Sequence, residues 1–212
     1  WKDDLAQMAW QGQSEQFSSA QVGAWVIIAT PETLQTPSVR YGLSLAAIVA
    51  KAKHPSLPIF VLSPGADPVA RELLPATLSG AICLVATDPT LPAKLVAKAN
   101  LPNQPSRSEY RINALGTPQI GLWFEVGPAS GATWKGAVFG VSGGEIDFQA
   151  VGPSGELPKN STLSYPSNGI KLEMNGMEFT AWGVANGISE SDSYFARVRD
   201  TPAAILFGPF PD

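Results

Sequence analysis

The chain of 212 residues has one cysteine and one histidine, and only 15% of it is charged. No internal disulfide can form, and a Cys/His metal centre lacks its ligands. Any Ser-His-Asp or Cys-His relay would depend on His54 alone. That residue precedes Pro55 at the end of a helical segment, a position suited to bonding the last helical carbonyls. Cys83 lies within the apolar run Ala81-Ile82-Cys83-Leu84-Val85 and reads as a small buried hydrophobe. No catalytic residue and no metal ligand is therefore assigned. Apolar runs stay well short of a membrane span. No basic segment followed by an apolar one opens the chain, so a cytoplasmic protein is expected. A cleaved targeting segment is the alternative, because the sequence begins at Trp1. A basic surplus is also lacking: the net charge is −4, which argues against nucleic acid as a partner.

What is present is unevenly distributed. Residues 1–104 hold 5 of the 20 glycines and 6 of the aromatic residues; residues 105–212 hold 15 and 13. The first part has seven positive and seven negative side chains, the second seven and eleven. The chain is accordingly divided into an α/β domain, 1–104, and a Gly-rich antiparallel β domain, 105–212. The segment Leu101 to Ser108 contains two prolines and is expected to hold the halves firmly together. A cleft near Pro102-Asn103-Gln104-Pro105 is one expected ligand position.

In the first part, Ala24–Ala29, Ile59–Leu62 and Ala81–Ala86 are short, continuously apolar runs, as in parallel strands covered on both faces. Between the first two, Val39, Leu43, Ala46, Ala47 and Ala50 keep helical spacing over Ser38–Lys53. Asp67-Pro68 predicts the start of a short helix, and Thr90 with Pro92 predicts another running to about Asn100. The fold expected is a parallel sheet of three or more strands with flanking helices. Ligands of such sheets collect beyond the carboxyl ends of the strands, where Glu32, Asp67 and Asp88 would form a small polar site. As caps or turn residues, the two aspartates would be ordinary structure. No Gly-rich phosphate loop follows any strand.

The stretch Ala24-Trp25-Val26-Ile27-Ile28-Ala29-Thr30-Pro31, followed by Ser38-Val39-Arg40-Tyr41-Gly42-Leu43 and then Leu57-Pro58-Ile59-Phe60-Val61-Leu62, resembles the middle of TIR domains. The likeness spans about residues 14–100 and implies a flavodoxin-like α/β fold. The family's tryptophan position carries Ser38, and its glutamate position carries Gly42. In enzymatic members that glutamate supports cleavage of the nicotinamide–ribose bond of NAD, so the resemblance implies a non-catalytic relative. Gly42 also reads as a site of close backbone packing early in a helix.

From Tyr110 the period changes to two. Ile120, Leu122, Phe124 and Val126 alternate with Gly121, Trp123 and Glu125; Ile146, Phe148 and Ala150 with Glu145, Asp147 and Gln149. Ile170, Leu172 and Met174, then Phe179 and Ala181, continue the pattern. Asn175-Gly176 between two such runs predicts a tight hairpin. About eight strands predict a β-sandwich or small barrel. Trp123 and Trp182 fall on the polar faces of their strands, beside Glu125 and Glu178, as a sugar-stacking platform would require. Alternatively, those faces are covered. Glu145, Asp147, Glu173 and Glu178 form an acidic set that would suit glycoside hydrolysis or calcium, or simply water. The sequon Asn160-Ser161-Thr162 matters only in a secreted chain.

The resulting expectation is a non-catalytic interaction or small-ligand-binding protein without a cofactor. Its speculative ligand residues are Glu32, Asp67, Asp88, Trp123, Glu125, Glu178 and Trp182. The alternatives are an enzyme cleaving a nucleotide such as NAD or a glycosidic bond through carboxylates, and a carbohydrate-binding module.

Overall fold

The computed structural model describes residues 4–17, 19, 21–101 and 108–210. The chain splits into two compact units, Trp1–Ser106 and Arg107–Asp212. The cleft expected near residues 102–105 lies outside the described residues.

The first unit has helix α1 (Gln11–Gln16), strand β1 (Trp25–Ile28), and helices α2 (Pro31–Gln35) and α3 (Pro37–Lys53). These are followed by β2 (Ile59–Ser63), two short 3₁₀ turns, β3 (Ile82–Val85) and α4 (Leu91–Asn100). The strands form a parallel sheet in the order β1-β2-β3. Val26 pairs with Phe60 and Phe60 with Ile82, so each residue shares a face with its partners. The other parity, Trp25, Ile27, Ile59 and Val61, meets Leu43, Ala46, Ala47 and Ala50 of α3 in one buried cluster. Three alanines on that helix face let its backbone approach the sheet closely, and proline at the first helical position starts it without losing a needed donor. Cys83 is half-buried against this cluster, and burial pushes its thiol pKa up despite the nearby charge of Arg71.

Two expectations fail here. Asp67-Pro68 starts no helix; the segment instead makes the 3₁₀ turns Arg71–Leu73 and Ala76–Leu78. Leu74, which precedes Pro75, is extended (ψ 145°), as the proline ring demands, and this separates the two turns. Their carbonyls are taken by α3: Arg40 donates to the Leu73 and Leu74 oxygens, and Lys51 to that of Thr77. The His54 ring does not turn back to its own helix. Its Nε2–H donates to the Phe17 carbonyl at 2.6 Å, while its backbone N–H closes the helix on Ala50.

The second unit has eight strands, β4 (Tyr110–Thr117), β5 (Gly121–Pro128), β6 (Ala137–Ser142), β7 (Glu145–Pro153), β8 (Ser167–Met174), β9 (Met177–Val184), β10 (Asp192–Arg199) and β11 (Ala204–Pro209). They form two antiparallel four-stranded sheets, β4-β5-β10-β7 and β11-β6-β9-β8. The sheets meet where Phe124 stacks on Phe139 (5.4 Å between centroids) and Tyr110 meets the edge of Phe207 (4.9 Å). Asn175 (φ 52°) and Gly176 (φ 73°) close the β8–β9 hairpin with the two left-handed residues a type I′ turn needs. At the β4–β5 turn, a Cβ on Gly116 would lie 2.2 Å from the Gly121 carbonyl, so only glycine fits there. Among the described residues no helix is long and apolar enough to cross a membrane.

Candidate functional site

The most densely furnished surface is the face of sheet β4-β5-β10-β7 turned away from the Phe124–Phe139 stack. Residues directly opposite in an antiparallel ladder share a face. The register therefore lays Leu115, Trp123, Arg197 and Phe148 in one row across the four strands. Asn113, Glu125, Phe195 and Ala150 form the next row; beyond it Arg111 pairs with Gly127 and Ser193 with Gly152, and Arg111 Nη1 donates to Ser193 Oγ at 3.2 Å.

In the first row the Arg197 guanidinium sits 5.6 Å from the ring centroids of both Trp123 and Phe148, a cation shared by two aromatic faces. The two rings themselves meet edge to face at 5.7 Å. Arg197 Nε donates to Asp147 Oδ1 at 2.7 Å, and Arg199 Nε pairs with Asp147 Oδ2. Burial works to raise the Asp147 pKa, but the two guanidiniums outweigh it and hold the carboxyl below its ordinary value. Two guanidiniums thus converge on one carboxylate, and Glu145 stands directly opposite Arg199 in the ladder, so the charges of this patch balance. The Phe148 ring is 51% exposed beside it.

A β-bulge makes this arrangement. Arg197 pairs with Phe148 while Val198 pairs with Ile146, so Asp147 is the extra residue of β7. The phase of the strand reverses at that point. Ile146 is buried, Phe148 emerges on the outer face, and Gln149 turns inward, where its side chain accepts from the Tyr194 hydroxyl at 2.7 Å and donates to Asn168 at 2.8 Å. The expected alternation, Ile146, Phe148 and Ala150 on one face, is broken for this reason.

The second row and the pairs beyond it are structural. Glu125, expected on an exposed face, is buried. Its Oε1 accepts from Ser193 Oγ (2.8 Å), the Gly155 N–H (2.8 Å) and Ser154 Oγ (3.2 Å), with Arg111 Nη1 3.9 Å away. Arg111 in turn donates to the Pro128 and Asp192 carbonyls and to Ser154 Oγ. The network straps the turn after β7 onto the sheet, and Leu157 from that segment packs over Trp123, Ala150 and Phe195.

Trp123 is correspondingly 8% exposed, with its indole N–H committed to the Ile120 carbonyl at 3.0 Å. It offers no open ring for a sugar. Trp182 is on the other sheet, half-buried directly opposite Phe139, hence on the same face as the inter-sheet stack. Glu178 pairs across its hairpin with Glu173 and forms an exposed ion pair with Lys171 at 3.0 Å. Trp123 and Glu125 are thus neighbours on one face, while Trp182 and Glu178 belong to the other sheet.

The strand-end acids of the first unit are separate in character. Asp88 accepts from the Thr90 N–H (2.8 Å), the Thr90 hydroxyl (2.7 Å) and Lys94 Nζ (2.7 Å). The Lys94 bond, then those from Thr90, lower its pKa to about 2. It is a turn residue just before α4, whose N-cap is Thr90. Glu32 stands in the first turn of α2, beside the Thr30–Thr33 capping box, and the Thr30 contact lowers its pKa. Asp67 lies exposed in the irregular segment after β2.

Searches of protein-family models, curated proteins and solved structures find no match to this chain.

The residues that sequence reasoning left out are Arg111, Ser193, Arg197 and Arg199. Arg197-Val198-Arg199 carried one usable signal: two arginines two apart in a strand share a face.

Proposed function

We propose that the chain is a non-catalytic binding protein whose β unit takes a ligand or partner carrying an anionic group beside an apolar or aromatic body. The observation that carries this reading is the pair Arg197 and Arg199 sharing the single carboxylate of Asp147 next to the half-exposed Phe148 ring. The exposed guanidinium of Arg199 suits a carboxylate or phosphate, which arginine binds through charge-assisted bonds and which would take the place opposite Arg199 that Glu145 holds in the ladder. Phe148 supplies an apolar surface on which the body of such a ligand stacks. The bulge, the Trp123 ring and the Glu125 strap hold these groups on a rigid sheet, so little order is lost on binding.

The α/β unit belongs to the same proposal. A TIR-like origin agrees with its parallel sheet and with α3 following β1. Gly42, buried in α3 at the position of the family's glutamate, supports the non-catalytic reading.

Titration calorimetry with phenyl phosphate and benzoate tests it. Binding is expected, weakened roughly tenfold or more in Arg199→Ala, in line with the loss of a charge-assisted bond. The Arg199 side chain is 66% exposed, so this variant should fold as the parent does. Heats no larger than dilution for both probes, or equal affinity in the variant, would overturn the reading.

A further inference from the structure

We propose that the free edge of β1 pairs antiparallel with β1 of a second copy of this chain, joining two three-stranded sheets into one of six strands. The inference concerns the first unit and goes beyond the binding reading above.

β1 is an edge strand whose other side is taken by β2. The Trp25 N–H donates to Pro58 and the Ala29 N–H to Leu62, so the odd-numbered residues bond towards β2. Val26 and Ile28 therefore present their N–H and C=O groups to the open side. Among the described residues no hydrogen bond reaches those groups. Their side chains are uncovered as well, Val26 42% and Ile28 71% exposed. Natural edges are commonly guarded by lysine, proline or a bulge. The run Ala24–Ala29 has none of these.

The geometry of the edge selects its occupant. Backbone donors and acceptors two residues apart require an extended chain. If the two-fold axis passes beside Ile27, Val26 of one copy stands opposite Ile28 of the other, and Ile28 opposite Val26. Each such pair exchanges both backbone hydrogen bonds, and directly opposite side chains lie on the same face. The two exposed side chains of one copy thus cover those of the other, which is the self-complementarity an isologous contact requires. Beside the strand runs a groove of about 530 Å³, walled by Gln13, Thr33, Val39 and Leu43, with no charged residue in its lining. A strand laid along this edge therefore buries no charge. Residues 1–104 carry seven positive and seven negative side chains, so two such units approach without net repulsion.

Light scattering coupled to gel filtration of the full chain, loaded at about 100 μM, tests the proposal; a micromolar dimer is largely formed at that concentration. The wild-type chain should elute at twice its monomer mass of 22.3 kDa. Ile28→Lys, at a solvent-facing side chain, should halve the observed mass. Val26→Pro is the second variant, because it removes only an outward-facing N–H and leaves the ladder to β2 intact. Near-UV circular dichroism confirms that each variant is folded. A wild-type monomer overturns the proposal, including one that instead captures an added apolar peptide. A dimer that survives both substitutions overturns it too. Neither variant touches Arg197 or Arg199, so this result and that for anion binding are read separately.

Discussion

Phe124→Ala is expected to destabilise the second unit by about 3–5 kcal/mol, the range for truncating a large buried aromatic. Phe124 is 2% exposed and its ring stacks on Phe139 of the facing sheet at 5.4 Å. Its flanking inward residues on the same sheet, Ala114 and Ala196, are too small to close the resulting cavity. Urea denaturation followed by near-UV circular dichroism should show the midpoint falling by roughly 2 M, taking an m-value of about 2 kcal/mol/M. An unchanged midpoint would mean that the two sheets do not meet through this ring pair.

The second large effect is expected at Glu125. Alanine there removes the acceptor shared by Ser193, Ser154 and Gly155, and leaves Arg111 facing a buried gap. Breaking such a partly buried ionic network should cost about 2–4 kcal/mol. It should also release the turn after β7, so that amides of residues 154–157 exchange faster with solvent. Glu125→Gln, which keeps an acceptor oxygen, should lose clearly less. Equal losses for the two variants, or no added exchange, would show that the carboxylate does not fasten the turn. This outcome also separates a structural Glu125 from the sugar-binding one expected of a carboxylate beside Trp123.

The sequence was most legible where local chemistry decides the structure. The shift to period two at Tyr110 marks the start of the β unit, and Asn175-Gly176 is a hairpin because both residues accept positive φ. The alanines of α3 mark the face laid on the sheet. What could not be read are effects of register and of chain returning from elsewhere. Nothing local marks Asp147 as the extra residue of a bulge, yet that one insertion moves Phe148 outward, turns Gln149 inward and aims Asp147 at two arginines. Alternation correctly put Trp123 and Glu125 on the face opposite Phe124. It had no means of showing that the turn and Leu157, some thirty residues later, cover that face. Asp67-Pro68 carried a helix-start signal that the chain does not follow: Ala70 is extended (ψ 135°), and Pro75 holds Leu74 extended as well.

Chemical-shift mapping of the arginine Nε–H signals during a phenyl phosphate titration tests the proposed binding surface of Arg197, Arg199 and Phe148 most directly. The Arg197 and Arg199 signals and the Phe148 ring should shift together and saturate at one dissociation constant, while the Arg111 Nε–H, held by the Pro128 carbonyl, stays in place. Shifts spread evenly over the arginines of both units, or absent from Arg197 and Arg199, would contradict it.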